Sequence, residues 1–287
     1  MLLSEAQSDI NSLKFAHSIY EQIIKDDKLL DEIVYKFQEY SELSAFSFDY
    51  DAVRKTTYSN LNDSGDDDAF TVTKVYHEPI TIKVRFKLYE HLTRNTMKAF
   101  CSYKNPPVVT FFIGTKEGKV NNPHNDVVYQ YQHDRQKNTE MTRGALKSMI
   151  REEWSDVIIH ELAHAYDYVY RNTTQHNWTT RSAYNAKNGE EYCDNTTETN
   201  ARMSQYAYLI MNACIHSDNM GTKMPDFKQT ISHIFDRKVY TNRSLMADDT
   251  KRRTYKRAFD IYNKLTNFYE KHKDEINTVK DFVNAIK

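Results

Sequence analysis

The sequence predicts an α+β fold, with a small β-sheet and a histidine-bearing helix between N- and C-terminal helices. Three observations lead there. Apolar residues recur at helix spacing over residues 1–47 and again over the last 60 or so. Strand-like alternation is concentrated between about residues 70 and 114. Between these regions, "HELAH" at 160–164 lies in a helical apolar pattern.

Along the first 47 residues, Leu13, Phe15, Ile19, Tyr20, Ile23 and Ile24 form one helical stripe. Leu29, Leu30, Ile33, Val34 and Phe37 form another. "NLNDSGDDDA" at 60–69 reads as an acidic, turn-rich loop rather than a metal site, because its carboxylates adjoin in a flexible run. "FTVTKVYHEPITIKVRFKLYE" reads as two strands separated at Pro79. Ile82, Val84, Phe86 and Leu88 make an apolar face opposite Thr81, Lys83, Arg85 and Lys87. "AFCSYKNPPVVTFFIG" adds two short strands around Pro106-Pro107, and "VVTFFIG" is the candidate edge strand for pairing with an extended peptide. Residues 114–138 show no period and read as a long loop. A helix is expected over about Thr142–Arg171, a second from near Gln175 to Lys187 and a third from near Asn195.

The 287 residues carry 39 Lys+Arg against 40 Asp+Glu, a net charge of -1, which argues against a chain that is basic throughout. Tyrosine, at 21 residues, dominates the aromatics, so much of the core brings hydroxyls that need partners. Cys101, Cys193 and Cys214 are few, odd in number and far apart, without a CxxC pair. They give neither a disulfide framework nor a zinc ribbon, and they point to a reducing, cytoplasmic setting. The N-terminus is too acidic and broken for a signal peptide, and no apolar run reaches membrane-spanning length.

His160 and His164 stand four apart, so on a helix their rings leave one face a turn apart and can meet one Zn2+ ion. Glu161 lies about 100° around that helix. There it can reach a water activated by the metal and accept its proton as the water attacks a carbonyl. The pattern is the HExxH of zinc peptidases; a chance match in a chain of this length is on the order of one per cent. The competing reading is a helix whose two histidines are satisfied by hydrogen bonds in the core. The motif makes the expected core zincin-like. It divides the chain into an N-terminal helical segment at 1–47, a metallopeptidase domain at 48–217 and a C-terminal helical segment at 218–287. Asp167 shares the histidine face, either orienting an imidazole or ending the helix as a solvated charge.

A catalytic zinc takes a third protein ligand and keeps one position for water. Tyr170 stands where the extended metzincin pattern needs histidine, so that class fails. The candidates are His176 and Glu198, with His216, Glu190 and Asp194 behind them. If the helix ends at Arg171, its end lies about 10 Å beyond His164. Residues 172–176 can span up to roughly 16 Å, so a reversal could return His176 to the metal. Glu198 would complete a His-His-Glu set of the thermolysin type. It is also explained as part of an Asn195-x-x-Glu198 helix cap, or as the partner of Arg202 in a surface ion pair.

Residues about 80–195 resemble the SprT-like (Spartan-type) zinc metallopeptidase domain. The matching pieces are "IKVRFKLYEHLTRN", "AFCSYKNPPVVTFFIG", "VIIHELAHAYDY" and "HNWTTRSAYNAKNGEEYC". The resemblance implies that His160, His164 and His176 ligate Zn2+, that Glu161 is the general base, and that the substrates are proteins associated with nucleic acid. Tyr184 and Tyr192 are candidate oxyanion donors. "KRRTYKR" at 251–257 is the one segment offering DNA phosphate contacts. It reads more readily as a solvated helix face balanced by "ADD" at 247–249. The expected partner is a protein or peptide substrate, without a membrane. A non-catalytic helical interaction protein is the remaining alternative.

Overall fold

The computed structural model describes residues 2–38, 45–59, 71–89, 96–102, 107–114, 127–133, 137–170, 196–235 and 248–286. Within them the chain is α+β, and elements are numbered in chain order.

Helix α1, Leu2–Lys25, buries Ile10, Leu13, Phe15, Ile19 and Ile23 completely. It is an interior helix, packed on the HELAH helix and on three helices from the C-terminal half. Asp26 ends it and caps α2, Asp27–Gln38, by accepting from the N–H groups of Lys28 and Leu29 at 3.0 and 3.1 Å.

Strands β1 (Ala45–Ser59), β2 (Thr71–Tyr89), β3 (Thr96–Ser102) and β4 (Val108–Gly114) form one sheet in the order β1-β2-β4-β3. The β1–β2 and β3–β4 pairs are antiparallel, and β2–β4 is parallel. Ile82, Val84 and Phe86 are fully buried while Thr81, Lys83 and Arg85 are half-exposed, as the alternation predicts. Phe86 meets Phe111 of β4 with ring centroids 5.3 Å apart. Three expectations change. The helical reading of residues 1–47 stops short, because β1 begins at Ala45. Pro79 does not separate two strands: β2 runs through it, paired with Asp51. Because β4 joins β2 only from Lys83 onward, among the described residues one edge of β2 is open at Pro79, where a residue without N–H is tolerated. Nor is 114–138 all loop, since β5 (Val127–His133) and β6 (Lys137–Thr142) form a hairpin. Tyr129 and Tyr131 alternate with Gln130 and Gln132 in β5, a short strand signal that the reading as loop passes over.

Helix α3, Arg143–Ser148, leads into a π-type turn at Met149–Glu153. Trp154 N–H closes that turn on the Met149 carbonyl at 2.9 Å, and α4, Ser155–Tyr170, starts beyond it. Helix α5, Thr196–Asn219, packs along α4. It ends where Gly221 adopts φ 61° and Thr222 N–H returns to the Ser217 carbonyl at 2.8 Å. Helices α6 (Phe227–Phe235), α7 (Asp248–His272) and α8 (Val279–Ala285) complete the fold. Thr278 and Asp281 form a capping box on α8. One hydrophobic cluster runs from α1 through the sheet, α4 and α5 to α7 and α8. The expected helix at 175–187 lies outside the described residues.

Three tyrosine hydroxyls packed against the core find partners. Tyr206 bonds Thr230 at 2.9 Å, Tyr262 donates to the Pro225 carbonyl at 2.9 Å, and Tyr20 donates to the Arg151 carbonyl. His17 is buried beside Tyr20 and Tyr208, with ring centroids 6.0 and 6.1 Å away. Burial lowers its pKa from 6.5 to about 4, helped by the Lys25 and Lys280 charges and opposed by Glu21. The folded protein therefore holds His17 neutral while the unfolded chain protonates it below pH 6.5. Stability present above pH 6.5 is lost as pH falls toward about 4, by up to ~3 kcal/mol. Urea denaturation at pH 7, 5.5 and 4.5 should show this loss, and His17→Phe should flatten it. An equally steep loss in His17→Phe would assign the acid sensitivity elsewhere.

Candidate metal centre

Helix α4 has an apolar side formed by Ile158, Ile159, Leu162 and Ala165, all fully buried against the common core. The same packing buries His160 and His164. Their rings lie one turn apart, with centroids 4.9 Å apart and planes at 88°. Glu198, in the first turn of α5, faces both. Its Oε1 is 3.4 Å from His160 Nε2, and its Oε2 is 3.4 Å from His164 Nε2. All three side chains are at most 2% exposed.

The 3.4 Å separations are compatible with two arrangements, histidine–carboxylate hydrogen bonding and a shared metal ion. A charge-assisted N–H···O bond draws its atoms to about 2.7–2.9 Å. Ligand atoms sharing one tetrahedral zinc at ordinary bond lengths stand about 3.4 Å apart. Glu198 Oε2 is buried facing His164 Nε2. The donor set, two imidazoles and a carboxylate, suits zinc. These residues fit a zinc ion.

Glu161 is also buried, and its ligand atom lies within 4.8 Å of those of both histidines. His160, Glu161 and His164 could in themselves form a metal group. Two facts favour a different role for Glu161. It lies about 100° around the helix from His160, and its carboxylate accepts the Cys101 N–H of β3. Burial raises its pKa to about 7 and the Glu198 charge adds to the rise, while His164 and the Cys101 N–H oppose it. A carboxyl poised there suits a proton acceptor and donor. Burial acts on Glu198 in the same sense, but the His160 and Arg202 charges outweigh it and hold that carboxyl well below the usual range.

Arg202 is not at the surface. It is 5% exposed, and its Nε donates to Glu198 Oε1 at 3.0 Å. Asp167, of the two roles the sequence leaves open, is not a solvated helix end. It is fully buried and accepts from Asn200 Nδ2 at 3.1 Å. Asn200 Oδ1 accepts from Arg257 Nη2 at 2.9 Å, and that nitrogen also donates to Asp9 Oδ1 at 2.6 Å. A polar chain thus joins α1, α7, α5 and α4 beneath the site. At the start of α4, Gln205 donates to Asp156 at 3.0 Å, a second tie between α4 and α5.

Two other sequence candidates move. "VVTFFIG" is not an edge strand, because β4 has β2 on one side and β3 on the other; β3 takes the outer position. His216 is exposed near the far end of α5, about 27 Å along the helix from Glu198. His176, Tyr184, Tyr192, Glu190, Asp194 and Asn195 lie outside the described residues, as does Cys193. In "KRRTYKR", Lys251 and Arg252 pair with Asp248 and Asp249, and Arg257 turns inward to Asp9. Cys101 and Cys214 are free and buried, and among the described residues no helix is long and apolar enough to cross a membrane.

Sequence reasoning missed Asn200, Arg257 and Asp9 as support for the site. Asp9 and Arg257 are 248 positions apart, and no local pattern links them. No family model matches the chain, and no curated protein or solved structure matches it.

Proposed function

We propose that the protein is a zinc-dependent metallopeptidase in which His160, His164 and Glu198 hold the metal and Glu161 is the general base. The observation that supports it best is the Glu198 carboxylate, 3.4 Å from the Nε2 atoms of both HExxH histidines. When bound, zinc supplies a Lewis acid and lowers the pKa of water near neutrality. Glu161 takes a proton from the water that adds to the scissile carbonyl carbon. It then passes that proton to the amide nitrogen as the C–N bond breaks, giving a carboxylic acid and an amine. The outer strand β3 is the natural seat for an extended substrate, since the Cys101 N–H on it already reaches Glu161. Phe100, 43% exposed on the same strand, offers apolar contact.

The rival set, His160, His164 and His176, belongs to the SprT-like reading, with nucleic-acid-associated proteins as substrates. Metal analysis of single variants separates the two. Glu198→Gln keeps the volume and an oxygen for Arg202. It is expected to weaken zinc binding by more than the roughly 10–100-fold typical of groups that only support a ligand. His176→Ala is expected to retain one equivalent. Zinc lost from His176→Ala but retained by Glu198→Gln overturns the assignment. Absence of zinc from the wild type would favour a non-catalytic protein.

A further inference from the structure

We infer that Arg202 is a positioning residue of the metal centre: it occupies one oxygen of Glu198, so that the carboxylate meets a divalent cation through the other oxygen alone. The inference rests on the reading of Glu198 as a ligand. Arg202 lies one turn after Glu198 on α5, and its guanidinium is buried with the carboxylate rather than spread on the surface. A buried cation is costly unless a partner compensates it, and arginine keeps its charge where lysine can lose its own.

The contacts are unequal. Oε1 accepts Arg202 Nε at 3.0 Å and lies 3.4 Å from His160 Nε2, whereas Oε2 is buried and lies 3.4 Å from His164 Nε2. A carboxylate with two free oxygens can chelate a dication and fill the position that a hydrolytic zinc keeps for water. With Oε1 drawn toward Arg202, Oε2 is the oxygen left to approach the ion more closely, which favours three ligands plus an open position. Glu198 also sits in the first turn of α5, where the helix N-terminus favours its negative charge. Arg202 therefore has a geometric task beyond charge balance, namely to set how many oxygens Glu198 presents.

The test substitutes Co2+ for zinc and reads the visible absorption, which is strong for four-coordinate and weak for five-coordinate cobalt. Arg202→Met and Arg202→Gln should each bind about one equivalent of Co2+ with a loss of visible intensity. Zinc affinity, measured by chelator competition, should fall about 10–100-fold. Arg202→Lys should restore the spectrum. Because Gln keeps a polar group beside Glu198, it supplies the reading if Met does not fold. A wild-type spectrum in whichever of the two folds, alongside a spectrum altered by Glu198→Gln, overturns the role of Arg202 alone. A spectrum moved by none of these changes overturns the assignment of Glu198 as ligand.

Discussion

Glu161→Gln should lower peptide hydrolysis by about 10²–10⁴-fold while the protein keeps its metal. The amide matches the carboxylate in size, and its oxygen can still accept the Cys101 N–H, so β3 and α4 keep their contact. What disappears is the ability to take a proton from water and return it to the leaving nitrogen. Glutamine is neutral, and Glu161 stands beside the negative Glu198, so metal binding should change little. The measurement pairs turnover of a quenched-fluorescence peptide with metal content on the same preparation. Turnover within a few fold of wild type would remove Glu161 from the chemistry, whatever the metal content. Loss of metal together with activity would instead make Glu161 a ligand, as its distance from both histidines permits.

Arg257→Met should cost about 3–5 kcal/mol, enough to lower the melting temperature by on the order of 10 °C. The Asp9 side chain is fully buried, and Arg257 reaches it through Nη2 at 2.6 Å and Nε at 3.3 Å. Methionine fills the volume but leaves the carboxylate without its cation and Asn200 without one donor. The double variant Asp9→Leu with Arg257→Met removes both charges and should recover much of the loss. Differential scanning calorimetry of the two single variants and the double variant gives the coupling. Simple additivity, with no recovery in the double variant, would mean that the pair is not the source of the destabilisation.

Local pattern made much of the fold legible. The stripe from Leu13 to Ile23 and the alternation at Ile82, Val84 and Phe86 are consequences of helix and strand periods, and the structure buries those faces as expected. Strand order was not legible, because alternation states that a face is buried but not which neighbour pairs with which edge. "VVTFFIG" could therefore be mistaken for an outer strand. At the site, His160, Glu161 and His164 announce themselves by spacing on one helix. Glu198 was visible only as one of two options, because an i,i+4 glutamate–arginine pair reads as surface chemistry unless burial is known. The chain Asp167–Asn200–Arg257–Asp9 joins four helices by contacts that depend on tertiary packing alone.

The Asp9–Arg257 closure also has a consequence for the order of synthesis. Asp9 leaves the ribosome 248 residues before the arginine that neutralises it. Until then α1 carries a carboxylate that its own burial disfavours, and Asn200 lacks a donor that holds it against Asp167. Contacts of such long sequence separation form late in folding. A nascent chain can thus display the whole HExxH helix and Glu198 while the scaffold beneath them is unfinished, which ties a rigid hydrolytic centre to the arrival of α7.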